Sequence, residues 1–581
     1  MDGKTIKEET PSWLRFFLRV VALALGAVHT AVAIIQQSMN EDGIGYLDMG
    51  AAYLRGDWEM AVNGIWSPLY SWILGAVIYI FEPSIHWEFP AAQLTNFIIY
   101  AVALVCFEYY WRELTTRCHR QVSNETGQLQ FHPIAWLLLG YSLFIWSALV
   151  LVQIWAVTPD MTISALVFIA AGLVLRLSGP RATPAVAVIL GIVLGLGYLA
   201  KAAMMPLGIA CLLLTLVIPA GSLGRLKRTV LSATGFFVVS APFMFALSME
   251  KGSPTFGDVG RFTYLKHVNE MSYPNFYTDL DRLDGETKHP PRQIFDQPPV
   301  YEFAQPVGGT YPMAYDPGYW TDGLKPSVSI AQQVRALVTN GMIYFELFFR
   351  QQGAFLAIVA VLLAMSFTTP LRLRLMGPEI ALLSWALAAL GLYSLVFVTA
   401  RYIAPFVVLF WTGALAMIRM PDTTYGRRLL QTGSALLIAF VWVNIGTQNL
   451  QGLAGVAGFS PMSESVAPRG QFSDGGHHGN NPAIAEGLLA NGLENGDKIG
   501  FLGYSYSAYW ARLARLKIVA EIYPEHLQTF WQLDALRQTE VLQSFARSGA
   551  TAVISEPVDA DPTPPGWVPI GQTGYLLYFI R

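Results

Sequence analysis

Charge is the first thing that this sequence has little of. Only 13% of its 581 residues are Asp, Glu, Lys or Arg, whereas soluble domains carry about 25%. The net charge is only −3 and no basic surface dominates, which excludes a nucleic-acid partner. Apolar residues make up 53% of the chain instead. This composition indicates a protein embedded in a lipid bilayer.

Cysteine is also scarce. The chain has three, Cys106, Cys118 and Cys211, and each lies in or next to an apolar segment. Their spacing matches no metal-ligand pattern, and three residues cannot build a disulfide framework. A zinc site and a disulfide scaffold are therefore both excluded as the basis of the fold.

Long apolar segments are abundant. About 20 apolar residues cross the roughly 30 Å of bilayer hydrocarbon, and the sequence predicts eleven spans. They are 16–36, 91–111, 134–153, 161–178, 184–200, 203–219, 230–248, 353–369, 377–398, 402–417 and 429–447. A shorter apolar stretch, 69–81, follows Pro68 and is predicted to lie as a helix at the membrane interface.

The positions of Lys and Arg give the orientation. With the N-terminus in the cytoplasm, every short inner loop or adjoining span end is basic, as the positive-inside rule requires. These residues are Arg112, Arg117, Arg120, Arg176, Arg181, Arg225, Lys227, Arg228, Arg372, Arg374, Arg419, Arg427 and Arg428. Eleven spans then place the C-terminus on the non-cytoplasmic side of the membrane.

This topology leaves four outer segments: 37–90, a turn around 154–160, the long loop 249–352, and the tail from about 448. Gly, Ser, Asn and His dominate the first part of the tail, which predicts a linker over 448–481. Alternating helix-like and strand-like patterns predict a small, independent α/β domain over 482–581. The expected fold is an α-helical multi-pass membrane domain, 1–447, followed by this soluble α/β domain.

Acidic residues close to the hydrocarbon are costly, so each is a functional hypothesis. Glu41, Asp42 and Asp48 lie in the first outer loop, and Asp160 immediately precedes the fourth span. The simpler interpretation makes the loop acids solvated surface groups. For Asp160 it is a helix cap, because Asp is a strong N-cap residue.

Two cations stand at outer span ends, where positive charge is disfavoured. Lys201 ends one span, and Arg401 lies between two others. Snorkelling to lipid headgroups explains either residue alone. Together, opposite the outer acids, they indicate a site for a lipid phosphate or pyrophosphate.

Four motifs follow one another in a characteristic order. The first outer loop reads Asp42-Gly-Ile-Gly-Tyr46, Leu54-Arg-Gly-Asp-Trp58 and Ser67-Pro-Leu-Tyr-Ser-Trp72; later come Thr158-Pro159-Asp160-Met161, Leu199-Ala200-Lys201 and Ala400-Arg401-Tyr402-Ile403-Ala404-Pro405. Together they resemble the GT-C glycosyltransferases, in particular the aminoarabinose transferase and protein O-mannosyltransferase branch with its RgtA/B/C/D-like members. The resemblance covers about 1–250 and 377–417.

The resemblance implies a membrane glycosyltransferase that uses a polyprenyl-phosphate-linked sugar and inverts the anomeric carbon. Asp42 matches the family's catalytic loop acid and is expected to be the base, with Asp160 as a second catalytic acid. Lys201 and Arg401 are expected to neutralise the lipid phosphate. The remaining expected substrate-binding residues are Glu41, Tyr46, Asp48 and Tyr402.

The family likeness leaves the acceptor open among glycan, lipid and protein. It also leaves a divalent metal open, with Asp42 and Asp160 as its candidate ligands, because Gly43 stands where many members have a second acid. Two other function classes compete with a transferase. A transporter would show inverted repeats and charges at mid-membrane depth, and a scaffold would tolerate neutralisation of Asp42.

Overall fold

The protein was analysed as a computed structural model. It describes residues 10–37, 39–124, 127–218, 223–271, 284–303, 308–366, 378–456, 480–557 and 563–580. Two of the features predicted from the sequence cannot be compared with the structure, because they lie wholly or mostly outside these ranges. Most of the predicted linker, 457–479, and the inner-loop cations Arg372 and Arg374 lie outside the described residues. The described helix that begins at Thr424 continues to Val456, past the position where the linker was expected to start.

Helices coincide with all eleven predicted spans. They are Ser12–Gln36, Glu88–Asn124, Pro133–Trp146 with a π-helical extension Ser147–Val152, Asp160–Leu177, Pro184–Ala200, Met204–Val217, Arg225–Glu250, Gly353–Met365, Pro378–Ser394, Ala400–Ala416 and Thr424–Val456. By length and apolar composition, six described helices suffice to cross a membrane, and a bent helix pair adds a seventh. The others are shorter apolar helices. A multi-pass membrane protein follows, and the number eleven stays a prediction.

Close helix packing builds the bundle. The helix Arg225–Glu250 lies so near Pro184–Ala200 that a Cβ on Gly191 would come within 1.9 Å of the Ser232 carbonyl oxygen. Ser232 also donates its hydroxyl to the Ala187 carbonyl oxygen at 2.8 Å. Small residues that let backbones approach, with a hydroxyl bonded across, are typical of packing inside membranes.

The first outer loop is mostly helical. It contains the helices Glu41–Arg55, Trp58–Ala61 and Pro68–Phe81. The first and third touch through their backbones, because the Cα atom of Gly75 lies 3.0 Å from where a Cβ on Gly50 would be. Pro68–Phe81 is the stretch predicted to lie at the interface. Its last three side chains are 64–72% exposed, which fits a position against lipid headgroups.

A helix that the sequence did not predict lies inside the long outer loop. It runs from Ile330 to Phe345, ends in a π-helical turn to Gln351, and bends by 77° into Gly353–Met365. The large apolar side chains Val334, Val338 and Met342 are more than half exposed. Shorter helices occur earlier in the loop, at Val259–His267, Pro312–Tyr315 and Pro317–Trp320.

The strands of the described residues form two sheets. The small one pairs β1 (Gln128–Leu129) with β4 (Met420–Pro421). The large one has the order β2-β3-β6-β5-β7-β9-β8. Its strands are β2 (Arg292–Asp296), β3 (Pro299–Glu302), β5 (Lys498–Leu502), β6 (Lys517–Ile522), β7 (Ala552–Ser555), β8 (Val568–Pro569) and β9 (Leu576–Phe579). β5 is parallel to both β6 and β7, and the other pairs are antiparallel.

The large sheet corrects the expected domain boundary. The region 482–581 was expected to form an independent domain, yet β2 and β3 of the long loop complete its sheet. Tyr301 of β3 pairs with Glu521 of β6, and the Phe303 amide donates to the Val519 carbonyl oxygen at 2.8 Å. The helices Asn481–Ala490, Tyr509–Leu513, Leu527–Trp531 and Ala535–Ala546 accompany this sheet. The long loop and the C-terminal region therefore form one unit, called the outer unit after its predicted side of the membrane.

Candidate active site

Asn40 brings the first outer loop onto the second outer turn. Its side-chain oxygen accepts from the Val157 amide at 2.7 Å, and its side-chain nitrogen donates to the Val157 carbonyl at 3.3 Å. Gly43 permits this approach, because a Cβ there would lie 2.9 Å from the Val157 Cβ. These two hydrogen bonds hold the start of the helix Glu41–Arg55 beside the start of the helix Asp160–Leu177. Asp42 and Asp160, each in the first turn of its helix, therefore lie close together.

The two predicted acids and the two predicted cations form one chain of ion pairs. Arg401 Nη2 lies 2.8 Å from Asp42 Oδ2, and Arg401 Nε lies 3.6 Å from Asp160 Oδ2. Lys201 Nζ lies 2.6 Å from Asp160 Oδ1. The hydroxyl of Thr158 also donates to Asp160 at 3.1 Å. Burying these charges together offsets much of the desolvation that each would suffer alone.

The two carboxylates differ in access. The Asp160 side chain is 2% exposed, whereas that of Asp42 is 33% exposed. Asp160 is therefore held between cations inside the protein, and Asp42 is reachable from solvent. Arg401 Nε is buried and makes no hydrogen bond to any residue that the structure describes, so this cation retains a free donor.

Tyr402 and Tyr46 line the same centre. Lys201 Nζ lies 3.2 Å from the centre of the Tyr402 ring, a cation–π contact. Tyr46 packs edge-on against Trp66 and Tyr70, with ring centres 5.0 and 5.1 Å away. Burial raises the pKa of Tyr46 well above its ordinary value, and the charges of Asp42 and Asp160 raise it further. Its hydroxyl therefore stays protonated near the two carboxylates.

Glu41 extends the site towards the C-terminal region. The Tyr504 hydroxyl donates to Glu41 Oε1 at 2.8 Å. Burial raises the pKa of the Glu41 carboxyl, an effect that the hydrogen bond from Tyr504 opposes. Glu41, the residue next to Asp42, is thus hydrogen-bonded to the outer unit.

Asp48 is the predicted site residue that the structure places apart. It was expected to bind substrate, but its carboxylate is 8% exposed and accepts from the Thr310 amide at 2.7 Å. Arg512 Nη1 lies 2.5 Å from its other oxygen, and the same guanidinium contacts Glu88 at 2.9 Å. Six residues further along the helix than Asp42, Asp48 faces the outer unit and fastens it to the membrane part.

Two contributors escaped the sequence analysis. Lys266, in the helix Val259–His267, has its pKa lowered by burial, while the charges of Asp42 and Glu41 act in the opposite direction. Next to it, His267 stacks on Phe397 with ring centres 3.9 Å apart, close to the start of the Arg401 helix. The other is Tyr504. Neither stands in a motif, and only the three-dimensional contact reveals them.

The arrangement does not suit a metal held by Asp42 and Asp160. Both carboxylates already face Arg401, and a hard divalent cation needs several more oxygen ligands. Within the described ranges, no three His, Cys, Asp or Glu side chains come together as ligands.

Comparison with solved structures identifies the fold. ArnT from Cupriavidus metallidurans, bound to undecaprenyl phosphate, aligns with a TM-score of 0.50 over 96% of this chain and 97% of that chain, at 13% identity. ArnT is an aminoarabinose transferase of the GT-C superfamily. The chain has the GT-C fold.

Other comparisons add little to this assignment. The Archaeoglobus fulgidus oligosaccharyltransferase tethered with an acceptor peptide gives a TM-score of 0.45 at 12% identity, over 94% of this chain and 70% of that one. No family model matches the sequence, and no curated protein matches it. At these identities the likeness establishes the GT-C fold and nothing about substrate.

Proposed function

We propose that this protein is a glycosyltransferase that moves a sugar from a polyprenyl-phosphate donor to an acceptor on the outer face of the membrane, with inversion. One observation carries the proposal. In a GT-C fold, an accessible carboxylate, Asp42, stands beside two half-buried cations, Lys201 and Arg401, that are held by a second carboxylate. A related fold binds undecaprenyl phosphate, which supports a lipid phosphate as the ligand of these cations.

The proposed orientation puts this site outside. Eleven spans, a cytoplasmic N-terminus and a periplasmic C-terminus follow from the basic inner loops, in a bacterial inner membrane. The membrane domain is 1–447, and the outer unit combines the long loop with 482–581. The apolar walls between helices hold the polyprenyl tail.

The reaction is a single displacement. The acceptor hydroxyl gives its proton to the Asp42 carboxylate while its oxygen bonds to the anomeric carbon of the donor. The bond between that carbon and the phosphate oxygen breaks, and its electron pair stays on the lipid phosphate. Attack from the face opposite the leaving phosphate inverts the anomeric configuration.

The cations stabilise the charge that the leaving phosphate gains. Lys201 and Arg401 are already oriented by Asp160, so little reorganisation is needed during the reaction, and such preorganised charges are a large part of catalysis. The phosphate also binds Arg401, whose Nε has no hydrogen-bond partner among the described residues and can donate to a phosphate oxygen. Drawing the guanidinium towards phosphate leaves Asp42 free to accept the proton.

The test is sugar transfer in membranes that contain the overproduced protein. Radiolabelled donors, each a polyprenyl phosphate carrying a different sugar, are supplied one at a time with glycan, lipid and protein fractions of the host. We expect one donor to lose its sugar to one fraction, with the opposite anomeric configuration in the product by NMR. A product that retains the donor's configuration would refute the single displacement. Transfer no higher than in membranes without the protein, for every donor and fraction, would count against a transferase.

A further inference from the structure

The strand order of the large sheet reverses at its central parallel strand β5, a place where open α/β sheets form a crevice. The chain leaves the central strand β5 towards β6 on one side, and then returns past β5 to β7 on its other side. In open α/β sheets, such a reversal opens a space at the carboxyl ends of the strands, and ligands bind there. In this sheet the space lies at the ends of β5 and β7.

The residues that follow the strands fix this crevice. Tyr504 comes just after β5, Tyr523 just after β6 and Glu556 just after β7. The Tyr504 amide donates to Glu556 Oε1 at 2.9 Å, and the Glu556 amide donates to the Leu502 carbonyl oxygen at 2.9 Å. The rings of Tyr504 and Tyr523 meet edge to face, with centres 6.1 Å apart.

The same edge of the sheet faces the candidate active site. The Tyr504 hydroxyl reaches Glu41, the residue before Asp42, at 2.8 Å. The Tyr523 ring packs against the Tyr504 ring, so Tyr523 lies beside this contact as well. The carboxyl end of β5 therefore lies against the part of the first outer loop that carries Asp42.

The side chains around this space suit a carbohydrate. Tyrosine rings offer flat apolar faces for the C–H groups of a sugar ring, and each carries a hydroxyl for hydrogen bonding. The carboxylates of Glu41 and Glu556 accept hydrogen bonds from sugar hydroxyls. Tyr504, Tyr523, Glu41 and Glu556 are all half-buried, so they are neither closed into the core nor spread over an open surface.

We infer that this crevice binds a saccharide of the acceptor and holds its attacking hydroxyl towards Asp42. Tyr504 links the two halves of the site, because one residue contacts both Glu556 of the sheet and Glu41 of the membrane part. The inference rests on the proposed function in one respect, because only a transferase has an acceptor. Binding of a saccharide to this crevice can be measured without any transfer.

The experiment is saturation-transfer NMR on the full-length protein in detergent, with a mixture of the methyl glycosides of glucose, galactose, mannose and N-acetylglucosamine. We expect a signal from at least one glycoside. Tyr523→Ala and Glu556→Gln should each weaken its binding by about tenfold or more, as for a central contact of a binding site. Tyr578→Ala is the matched control, because this half-buried tyrosine of β9 pairs with Val553, away from the carboxyl ends.

Binding of tritiated undecaprenyl phosphate is measured on the same samples and should be unchanged in all three variants. The inference is overturned if no glycoside gives a signal above empty detergent micelles, or if Glu556→Gln binds as well as the wild type. If the protein binds a glycoside but not undecaprenyl phosphate, the result supports the saccharide site and overturns the proposed donor.

Discussion

Arg401 Nη2 lies 2.8 Å from Asp42 Oδ2, so that a helix late in the chain meets the first outer loop 359 residues earlier. The same guanidinium approaches Asp160, and Asp160 holds Lys201. Each of these residues is a plausible surface or cap residue when it is taken singly. The ion-pair chain that joins them is what makes them a site, and most of the predictions below concern it.

Arg401→Gln should weaken donor binding and transfer together. The substitution removes one of the two cations proposed for the phosphate, and we expect transfer to fall by about 10²-fold or more, as when one preorganised charge is lost. Binding of tritiated undecaprenyl phosphate and transfer rate are measured side by side. Arg55→Gln, which removes an exposed cation of the same outer region, is the control and should change neither.

Asp160→Asn should destabilise the protein, because it removes the buried counter-charge of the half-buried cations Lys201 and Arg401. Breaking a buried pair costs about 3–5 kcal/mol, whereas replacing both partners is often neutral. The double variant Asp160→Asn, Lys201→Met should therefore regain most of the lost Tm in detergent. It should not regain transfer, because the cation is gone. A double variant less stable than Asp160→Asn alone would contradict the pairing.

The motif residues of this site could be predicted from the sequence, whereas the composition of the outer unit could not. Asp160, Lys201 and Arg401 each stand at a predicted span end and Asp42 follows one closely, so the predicted spans alone put them at one membrane surface. The partner of Tyr301 is Glu521, 220 positions away, and no local pattern encodes that strand pairing. For the same reason the sequence did not predict the hydrogen bond between Tyr504 and Glu41. Nor did it predict the ion pair between Asp48 and Arg512, and Asp48 was expected to bind substrate instead.

Arg512→Gln should loosen the outer unit from the membrane part. It leaves the carboxylates of Asp48 and Glu88 buried without their cation, and the cost should be about 3–5 kcal/mol. Limited proteolysis from the outer side should cut the C-terminal region faster than in the wild type. Arg515→Gln serves as the control, since Arg515 is exposed at the end of the same short helix. Equal cleavage of both variants would mean that Arg512 does not hold the interface.

The orientation can be tested with single cysteines and a maleimide that does not cross membranes. Thr539 and Thr423 are exposed on opposite sides in the proposed topology. In intact spheroplasts, Thr539→Cys should be labelled and Thr423→Cys should react only after permeabilisation. The wild-type protein, whose described cysteines are partly or fully buried in helices, gives the background. The reverse pattern would put the candidate active site in the cytoplasm.

The most direct test of the account is the rate of sugar transfer by Asp42→Asn with the donor that the wild type uses. Asp57→Asn, in the same outer loop, is the matched control, and gel filtration in detergent establishes that both are folded. The account predicts a loss of about 10²–10⁴-fold for Asp42→Asn, the usual contribution of a general base, with undecaprenyl phosphate binding retained. A folded Asp42→Asn protein that transfers sugar at the wild-type rate would show that Asp42 is not the base.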